Sequence, residues 1–361
     1  MAHGKRDDMV VHEEEPYNAE PPPAALVGRQ LTALDAFYSR NHGPIPCLDG
    51  SPWRLEVGGL VAHHLDLSVD QLRHRYQEQT LVATLQCAGN RRKGLLEFGD
   101  IPDEAPWGAA AISTAEWTGV RLSDVLSDTG PHPDAKHVEF LAADIAEGAA
   151  APQRYGSSIP VEKALAGDVL LAWAMNGEPL PAAHGAPIRI VVPGYIGARS
   201  VKWVQRITAL AQPSTNYFQA VAYRVPPAGS ASAADPDDDI ALTGVWLNAD
   251  ILSPADGAVL EVGPTAIAGY AVAGEGLDIE RVEVSLDGGR SWQQAGMDDH
   301  PSRWAWRHWQ ATVDLPPGCA QILARAWDTS GTTQPPPGGH LRNPKGYMNN
   351  SWARIAVTVK K

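Results

Sequence analysis

Cysteine is scarce in this chain of 361 residues, which contains Cys47, Cys87 and Cys319. Thiols so few and so widely spaced are insufficient for a disulfide framework or a cysteine-based zinc site. Long hydrophobic runs are missing too, since no apolar stretch approaches the roughly 20 residues that span a bilayer. The first residues contain no apolar core of the kind that marks a secretory signal peptide. We therefore expect a cytoplasmic protein that does not insert into a membrane, with Cys47 and Cys319 in structural roles.

Positive charge is also in short supply. Lysine and arginine total 29 against 42 aspartate and glutamate residues, a formal net charge of -13. Such an acidic surface argues against nucleic acid or an anionic membrane as a partner. Any small anionic ligand would have to bind at a local group of cations within this acidic protein.

The length and composition predict an α+β protein of several domains, at roughly 150 residues each. Residues 1–20 are polar and acidic and are expected to form an N-terminal arm, followed by a mixed α/β domain over 21–228. Residues 229–240, rich in Ser, Ala and Asp, are typical of a linker. From 241 to 361 short alternating runs predict an immunoglobulin-like β-sandwich, with strands over 266–272, 280–286, 310–313, 321–327 and 353–359. The aromatic stretch 304–309 fits either a sandwich core strand or an interface.

Periodicity and capping residues predict the elements of the first domain. Thr32 is a candidate N-cap for a helix over 32–38, and Ser68 or Asp70 for a second helix that ends near 76. A third helix is expected over 161–166, after Pro160. Apolar and alternating runs predict strands over 53–61, 81–85, 137–144 and 169–175.

One stretch combines a thiol with cations. It runs from Leu85 to Lys93 and reads Leu-Gln-Cys-Ala-Gly-Asn-Arg-Arg-Lys, so that Cys87 stands where a buried strand gives way to a loop. Nearby cations lower the pKa of a thiol and favour the thiolate, which is the metal-binding and nucleophilic form. From these residues alone, a core cysteine followed by a solvated basic turn is an equally good interpretation.

The segment Cys87-Ala88-Gly89-Asn90-Arg91-Arg92 resembles the molybdenum-ligand motif of the sulfite oxidase family. Other segments resemble the same family in the same order and at similar spacing, and together they extend from about Val10 to Thr358. The resemblance is strongest to the stand-alone plant-type branch, which has no haem domain. It implies a molybdopterin-binding domain of the sulfite oxidase fold, a C-terminal dimerisation domain, a homodimer and no haem.

The resemblance also implies roles for particular residues. Cys87 would bind molybdenum, and Tyr223, Arg40 and Arg92 would be catalytic. The substrate pocket would be formed by Arg40, Arg92, Tyr223, Trp107 and Arg342. Arg342 departs from the family in its context, because Asn343 follows it where relatives have Leu-Arg-Gly. The pterin and its phosphate would be held by Tyr38, Ser39, Arg40, Asn41, His42, Cys87, Asp144, His184, Arg189, Ser200, Val201 and Lys202.

The reaction implied is oxidation of sulfite to sulfate by oxygen-atom transfer, with electrons passed to oxygen or a separate acceptor. Three alternatives remain open. The first is a nitrate reductase-type molybdenum enzyme, and the second is oxidation of another sulfur oxyanion. The third is a non-enzymatic scaffold built on a degenerate first domain.

Overall fold

The computed structural model of the chain describes residues 2–48, 53–148, 151–227, 239–274 and 276–360. Two domains are packed against each other, and the expected linker over 229–240 lies outside the described residues except at its last two positions. Among the described helices, none is both long enough and apolar enough to cross a membrane.

The first domain consists of short helices and two larger sheets. Its helices are α1 (Val69–Arg75), α2 (Leu122–Thr129), α3 (Val161–Ala164) and α4 (Tyr217–Ala220). Single 3-10 turns occur at Ala2–Gly4, Pro23–Leu26, Ala182–His184 and Gly197–Arg199, and a longer one at Arg92–Phe98. The strands are β1 (Val10–Glu13), β2 (Asn18–Glu20), β3 (Leu55–Gly59), β4 (Leu65–Leu67), β5 (Glu78–Gln86), β6 (Ile112–Arg121), β7 (His137–Ala146), β8 (Gln153–Pro160), β9 (Leu170–Met175), β10 (Glu178–Pro179), β11 (Arg189–Val191), β12 (Val204–Leu210) and β13 (Arg224–Val225).

Two sheets enclose the core of this domain. One has the order β10-β9-β6-β5, with β11 paired to β9, and the other has the order β4-β3-β12-β7-β8. Val120 and Leu171 from the first sheet and Phe140 and Ile207 from the second belong to one cluster of fully buried side chains. Burial of such apolar surface contributes most of the stability of a domain.

Most predicted elements of this domain are confirmed. The expected strands correspond to β3, β5, β7 and β9, and the second expected helix is α1. Ser68 caps α1 in a capping box with Gln71, which satisfies two backbone donors at the helix start. The helix predicted over 161–166 is present as α3.

The helix predicted over 32–38 is wrong, because this segment forms turns. One turn is closed by a bond from the Ala36 amide to the Ala33 carbonyl at 3.0 Å, and the amides at both ends of the segment bond to another strand. The Thr32 amide donates to the carbonyl of Thr114 at 2.8 Å, and the Tyr38 amide donates to the Ser113 hydroxyl at 3.2 Å. Bonds to β6 thus outweigh the local helix propensity, which is a weak determinant of structure.

The first twenty residues, expected as an arm, lie along the first domain. Strands β1 and β2 pair with each other, and Ala19 forms a bridge with Ser39. The Glu20 carboxylate accepts hydrogen bonds from the amides of Gly108 at 2.6 Å and Ala110 at 2.9 Å. The segment therefore supports the two loops that contain Ser39 and Trp107.

The second domain is the predicted β-sandwich. Its strands are β14 (Ile240–Ala241), which pairs with β13, and then β15 (Asn248–Ser253), β16 (Val259–Glu261), β17 (Gly263–Val272), β18 (Ile279–Ser285), β19 (Gln293–Gln294), β20 (Gly296–Met297), β21 (Arg307–Leu315), β22 (Gly318–Asp328) and β23 (Ala353–Lys360), with a 3-10 turn at Gly339–Leu341. The two sheets have the orders β15-β17-β21-β20 and β16-β23-β22-β18-β19. Ile267 and Val313 from one sheet pack with Val282 and Ile355 from the other in a single core.

The aromatic stretch 304–309 serves both purposes considered from the sequence. Trp309 belongs to the sandwich core, whereas Trp306 packs with Leu26 and Ile112 of the first domain. Cys47, expected to have a structural role, is exposed. The Cys319 side chain lies outside what the structure describes.

A buried ion pair joins the domains at the cysteine loop. Arg91, in the left-handed region at φ 65°, directs its side chain away from the first domain. Its Nε lies 2.7 Å from Oδ2 of Asp250, and its Nη1 donates to Asn248 Oδ1 at 2.8 Å and to the Ser351 carbonyl at 2.7 Å. The Asn349 side chain donates to the Arg91 carbonyl at 2.8 Å. The second domain thus determines the conformation of the loop after Cys87.

Replacing Asp250 with Asn tests this coupling. Arg91 would stay buried without its countercharge, which should lower the free energy of unfolding by about 3–5 kcal/mol. Urea unfolding of the apoprotein measures the loss. The matched control is Glu56→Gln, whose partner Arg206 is half exposed; that change should cost about 1 kcal/mol or less. Equal small losses in the two variants would contradict a stabilising interdomain pair.

Candidate active site

A cavity opens beside the end of β5 and has an empty volume of about 650 Å³, its opening included. Cys87 enters it from the strand end, a rigid position from which a reactive group can be aimed. Most of the residues predicted for the site meet here: Tyr38, Ser39, Arg40, Asn41, His42, Cys87, Asp144, His184, Arg189, Ser200, Val201, Lys202 and Tyr223. We call this space the inner cavity.

The Cys87 thiol is buried, and the Gly89 amide donates to its Sγ at 3.4 Å. Burial raises the pKa of this thiol, while Arg40 and Arg92 oppose the rise. The sequence-based prediction of a lowered pKa is therefore wrong for the protein alone, because desolvation outweighs the cations. A metal ion would reverse that balance, since a coordinated thiol is deprotonated outright.

The inner cavity has an excess of cations, of which Arg189 is buried and Arg40 and Lys202 are partly buried. Arg40, Arg189 and Lys202 line it, and among the described lining residues Asp144 alone is acidic. Burial lowers the pKa of Arg189 to about 10 and lowers the pKa of Lys202 too, aided there by the charge of Arg189. Arg189 is held by backbone carbonyls: its Nη1 donates to His184 at 3.0 Å and its Nη2 to Ser200 at 3.1 Å. The site is thus prepared for an anionic group such as a phosphate.

Asp144, the acidic residue of the inner cavity, has an unsatisfied carboxylate oxygen. Its Oδ1 is buried and has no hydrogen-bond partner within the described part of the chain, and burial raises the pKa of the carboxyl group to about 6. A buried acceptor without a donor is costly unless a ligand satisfies it. A thiol, a group of cations and an unsatisfied carboxylate in one cavity fit a molybdopterin with its metal, its phosphate and its ring N–H groups.

A second cavity continues outward from the first, and Arg40, His42 and Tyr223 line both. Arg92 and Trp107 line this outer cavity as expected. The sequence did not reveal the other members of its wall, which include His12, Glu104, Lys345 and Tyr347.

Tyr223 is held firmly between the two cavities. Its hydroxyl lies 2.7 Å from Nε2 of His42, and its ring stacks on Tyr347 with the centroids 5.2 Å apart. Burial raises the pKa of Tyr223, and burial beside Arg40 lowers the pKa of His42, so both groups are neutral. Its φ of 55° is unusual for a bulky residue, and such strain is commonly found at functional sites.

Arg342 is not part of either cavity, so its position gives no support to the predicted substrate role. It is exposed and donates to the backbone carbonyl of Asp100. A turn follows, in which the Gly346 amide donates to the Asn343 carbonyl at 3.0 Å. Lys345, within this turn, and Tyr347, directly after it, line the outer cavity. The cation that the second domain contributes is Lys345, three residues further along the same loop.

Lys5 is a buried cation that the sequence did not single out. Its Nζ lies 2.7 Å from the carbonyls of Leu34 and Phe37 and 2.6 Å from Nε2 of His184. Three acceptors match the three donors of an ammonium group. Burial lowers the pKa of Lys5 to about 7 and that of His184 below its usual value. Lys5 therefore holds His184, a residue of the inner cavity wall, by a contact with its ring nitrogen Nε2. In the sequence Lys5 is one of several charged residues in a polar segment, so it could not be singled out.

Comparisons with known proteins agree with this geometry. Residues 42–218 match the oxidoreductase molybdopterin binding domain, and residues 241–360 match the Mo-co oxidoreductase dimerisation domain. The chain is 36% identical over 383 residues to the sulfite oxidase of Arabidopsis thaliana, with 98% of this chain and 95% of that protein covered. The chain belongs to the sulfite oxidase family.

Other proteins similar to this chain differ in length and named activity. The mitochondrial sulfite oxidase of Homo sapiens is 38% identical, and the match covers 97% of this chain but 66% of the human protein. An inducible NADH nitrate reductase of Glycine max is 37% identical, with 41% of its length covered. The crystal structure of the sulfane dehydrogenase SoxCD from Paracoccus pantotrophus superposes with a TM-score of 0.82 at 29% identity, over 99% of this chain and 89% of that chain.

Replacing Lys5 with Met tests the support that it gives to the cavity wall. The change leaves two buried carbonyls unsatisfied, at about 1–3 kcal/mol each, and frees the His184 ring. We expect the protein to fold but to release its pterin at least several-fold faster, measured as pterin fluorescence in the filtrate over time. Arg6→Gln, one residue away in an exposed ion pair, is the control and should leave the release rate unchanged. Equal release from both variants would contradict the role of Lys5.

Proposed function

We propose that this protein oxidises sulfite to sulfate by oxygen-atom transfer at a molybdopterin held by Cys87. The observation that carries the proposal is the continuity of the two cavities: a thiol lies in the inner one, and Arg40 lies where they meet, near Arg92 in the outer one. A small oxyanion that enters the outer cavity would contact Arg40 and Arg92 and would at the same time face the inner cavity that contains Cys87. The family membership and the sulfite oxidases among the relatives support the choice of sulfite.

The protein's part in such a reaction is to bind, orient and exclude water. Arg40 and Arg92 would hold the oxyanion by charge-assisted hydrogen bonds, and Trp107 and Tyr223 would limit its position. Both rings are almost fully buried, so the wall near Cys87 offers few sites to water. When bound, the cofactor supplies the oxygen atom and accepts the two electrons that sulfite loses.

Two further parts of the proposal concern partners. A homodimer formed through residues 241–360 is supported by the match to a dimerisation domain. Transfer of electrons to oxygen or to a separate acceptor, without a haem in this chain, stays a prediction, as does a cytoplasmic location.

Two other reactions are the second candidates, because relatives named for them match most of this chain. One is nitrate reduction and the other is oxidation of a different sulfur compound. Parallel turnover assays with sulfite, nitrate and thiosulfate distinguish the three. Turnover of nitrate without turnover of sulfite would overturn the proposal.

Replacing Cys87 with Ser tests the predicted metal ligand. Exchange of one sulfur for oxygen changes little volume, so the fold should persist, while turnover of sulfite should fall at least a hundredfold because a hydroxyl is a poor ligand for a soft site. The steady-state rate per bound molybdenum measures the effect. Cys47→Ser is the matched control, since that thiol is exposed. Wild-type turnover by the Cys87 variant would remove the thiol from the mechanism.

Substitution of the pocket arginines tests the substrate site. Arg40→Gln or Arg92→Gln removes a charge-assisted contact worth about 1.5–3 kcal/mol, so the KM for sulfite should rise roughly 10- to 100-fold. Arg342→Ala is the control, because this arginine lies outside both cavities, and its KM should match the wild type. A normal KM in both glutamine variants, or a raised KM in the control alone, would show that the pocket is elsewhere.

A further inference from the structure

A carboxylate lies between two of the cations of the outer cavity. Glu104 Oε2 is 3.1 Å from Nη2 of Arg92, and its Oε1 is 2.8 Å from Nζ of Lys345. Its side chain is only 14% exposed, so the charge is largely shielded from solvent. An acid in this position occupies contacts that an oxyanion would otherwise make.

Arg92 does not need this carboxylate in order to stay in place. Its Nε donates to the Lys345 carbonyl and its Nη1 to the Ala105 carbonyl, both at 2.8 Å. Its guanidinium also lies 5.5 Å from the centre of the Tyr347 ring. Backbone acceptors and an aromatic ring thus orient the guanidinium of Arg92. Glu104 is not required for that orientation, so its effect on the site is electrostatic.

The negative charge of Glu104 acts within a cavity whose other charges are mostly positive or exposed. Arg40, Arg92 and Lys345 supply positive charge to the outer cavity, and the other acids along its wall, Glu13, Glu15, Asp103 and Glu147, are exposed. Glu104 is therefore placed to reduce the net positive charge that an incoming anion meets.

We propose that Glu104 is a specificity-determining residue, a built-in anion that weakens the binding of dianions more than that of monoanions. The Coulomb energy between Glu104 and a bound anion is proportional to the charge of that anion. Removing the carboxylate should therefore change the logarithm of the affinity about twice as much for a dianion as for a monoanion.

The benefit to the enzyme lies in turnover. Sulfate, the product of the proposed reaction, is a dianion that the same cations attract. Tight binding of the product delays its release, and product release limits the turnover of many enzymes. By competing for Arg92 and Lys345, Glu104 would speed the departure of the product.

The test is the binding of sulfate and nitrate to the oxidised, molybdenum-loaded enzyme, measured by calorimetry at constant ionic strength. Neither ion is oxidised there, so the measurement needs no turnover. In Glu104→Gln we expect nitrate to bind roughly 3- to 10-fold more tightly and sulfate roughly 10- to 100-fold more tightly. The inference rests on the proposed function only for the identity of the natural substrate, and a wild type that failed to oxidise sulfite would leave this binding test intact.

Three variants complete the experiment. Asp103→Asn removes the same charge from the neighbouring residue, which is exposed and forms no ion pair in the part of the chain that the structure describes, and should change each affinity less than twofold. Glu104→Asp keeps the charge and should resemble the wild type. If Glu104→Gln does not retain molybdenum, Glu104→Ala takes its place. Weaker or unchanged anion binding on loss of the carboxylate, equal gains for both anions, or the same gain in Asp103→Asn would each overturn the proposal.

Discussion

Buried positive charge is the constraint on which the site depends. Arg40, Arg189 and Lys202 face one cavity whose described walls contain a single acid, Asp144. Taking charges out of water is costly unless they are paired, and the lowered pKa values of Arg189 and Lys202 show that cost in this protein. An anionic ligand would remove it, and a ligand that binds only the folded state also stabilises that state. The cofactor is thus expected to contribute to stability as well as to chemistry.

The second constraint is the direction of two consecutive arginines. Arg91 points to Asp250 in the second domain, whereas Arg92 points to the outer cavity. The left-handed backbone at Arg91 makes this divergence possible. Because the sandwich also supplies Lys345 and Tyr347 to the outer cavity, the domain does more than pack beside the first. Its loops hold the segment after Cys87 and complete the anion site.

The sequence predicted the parts of this arrangement that depend on local pattern. The apolar run before Cys87 is a strand, and Ser68 caps a helix, because periodicity and capping operate over a few residues. The helix expected from Thr32 failed where long-range backbone bonds replaced local ones. Arg342 was chosen for its residue type and a short context, but the turn that follows it decides which cation reaches the cavity.

Lys5 and Glu104 could not be assigned from the sequence for a related reason. Each is an ordinary charged residue in a polar segment, and its role arises from partners far along the chain: His184 for Lys5, and Lys345 for Glu104. No pattern of residue types or spacing encodes such contacts.

X-ray absorption at the molybdenum edge tests the central claim, that Cys87 binds the metal, most directly. The dithiolene of the pterin would supply two sulfur ligands and Cys87 the third. We therefore predict three sulfur neighbours around molybdenum in the wild type and two in Cys87→Ser, whereas equal sulfur coordination in the two proteins would contradict the claim.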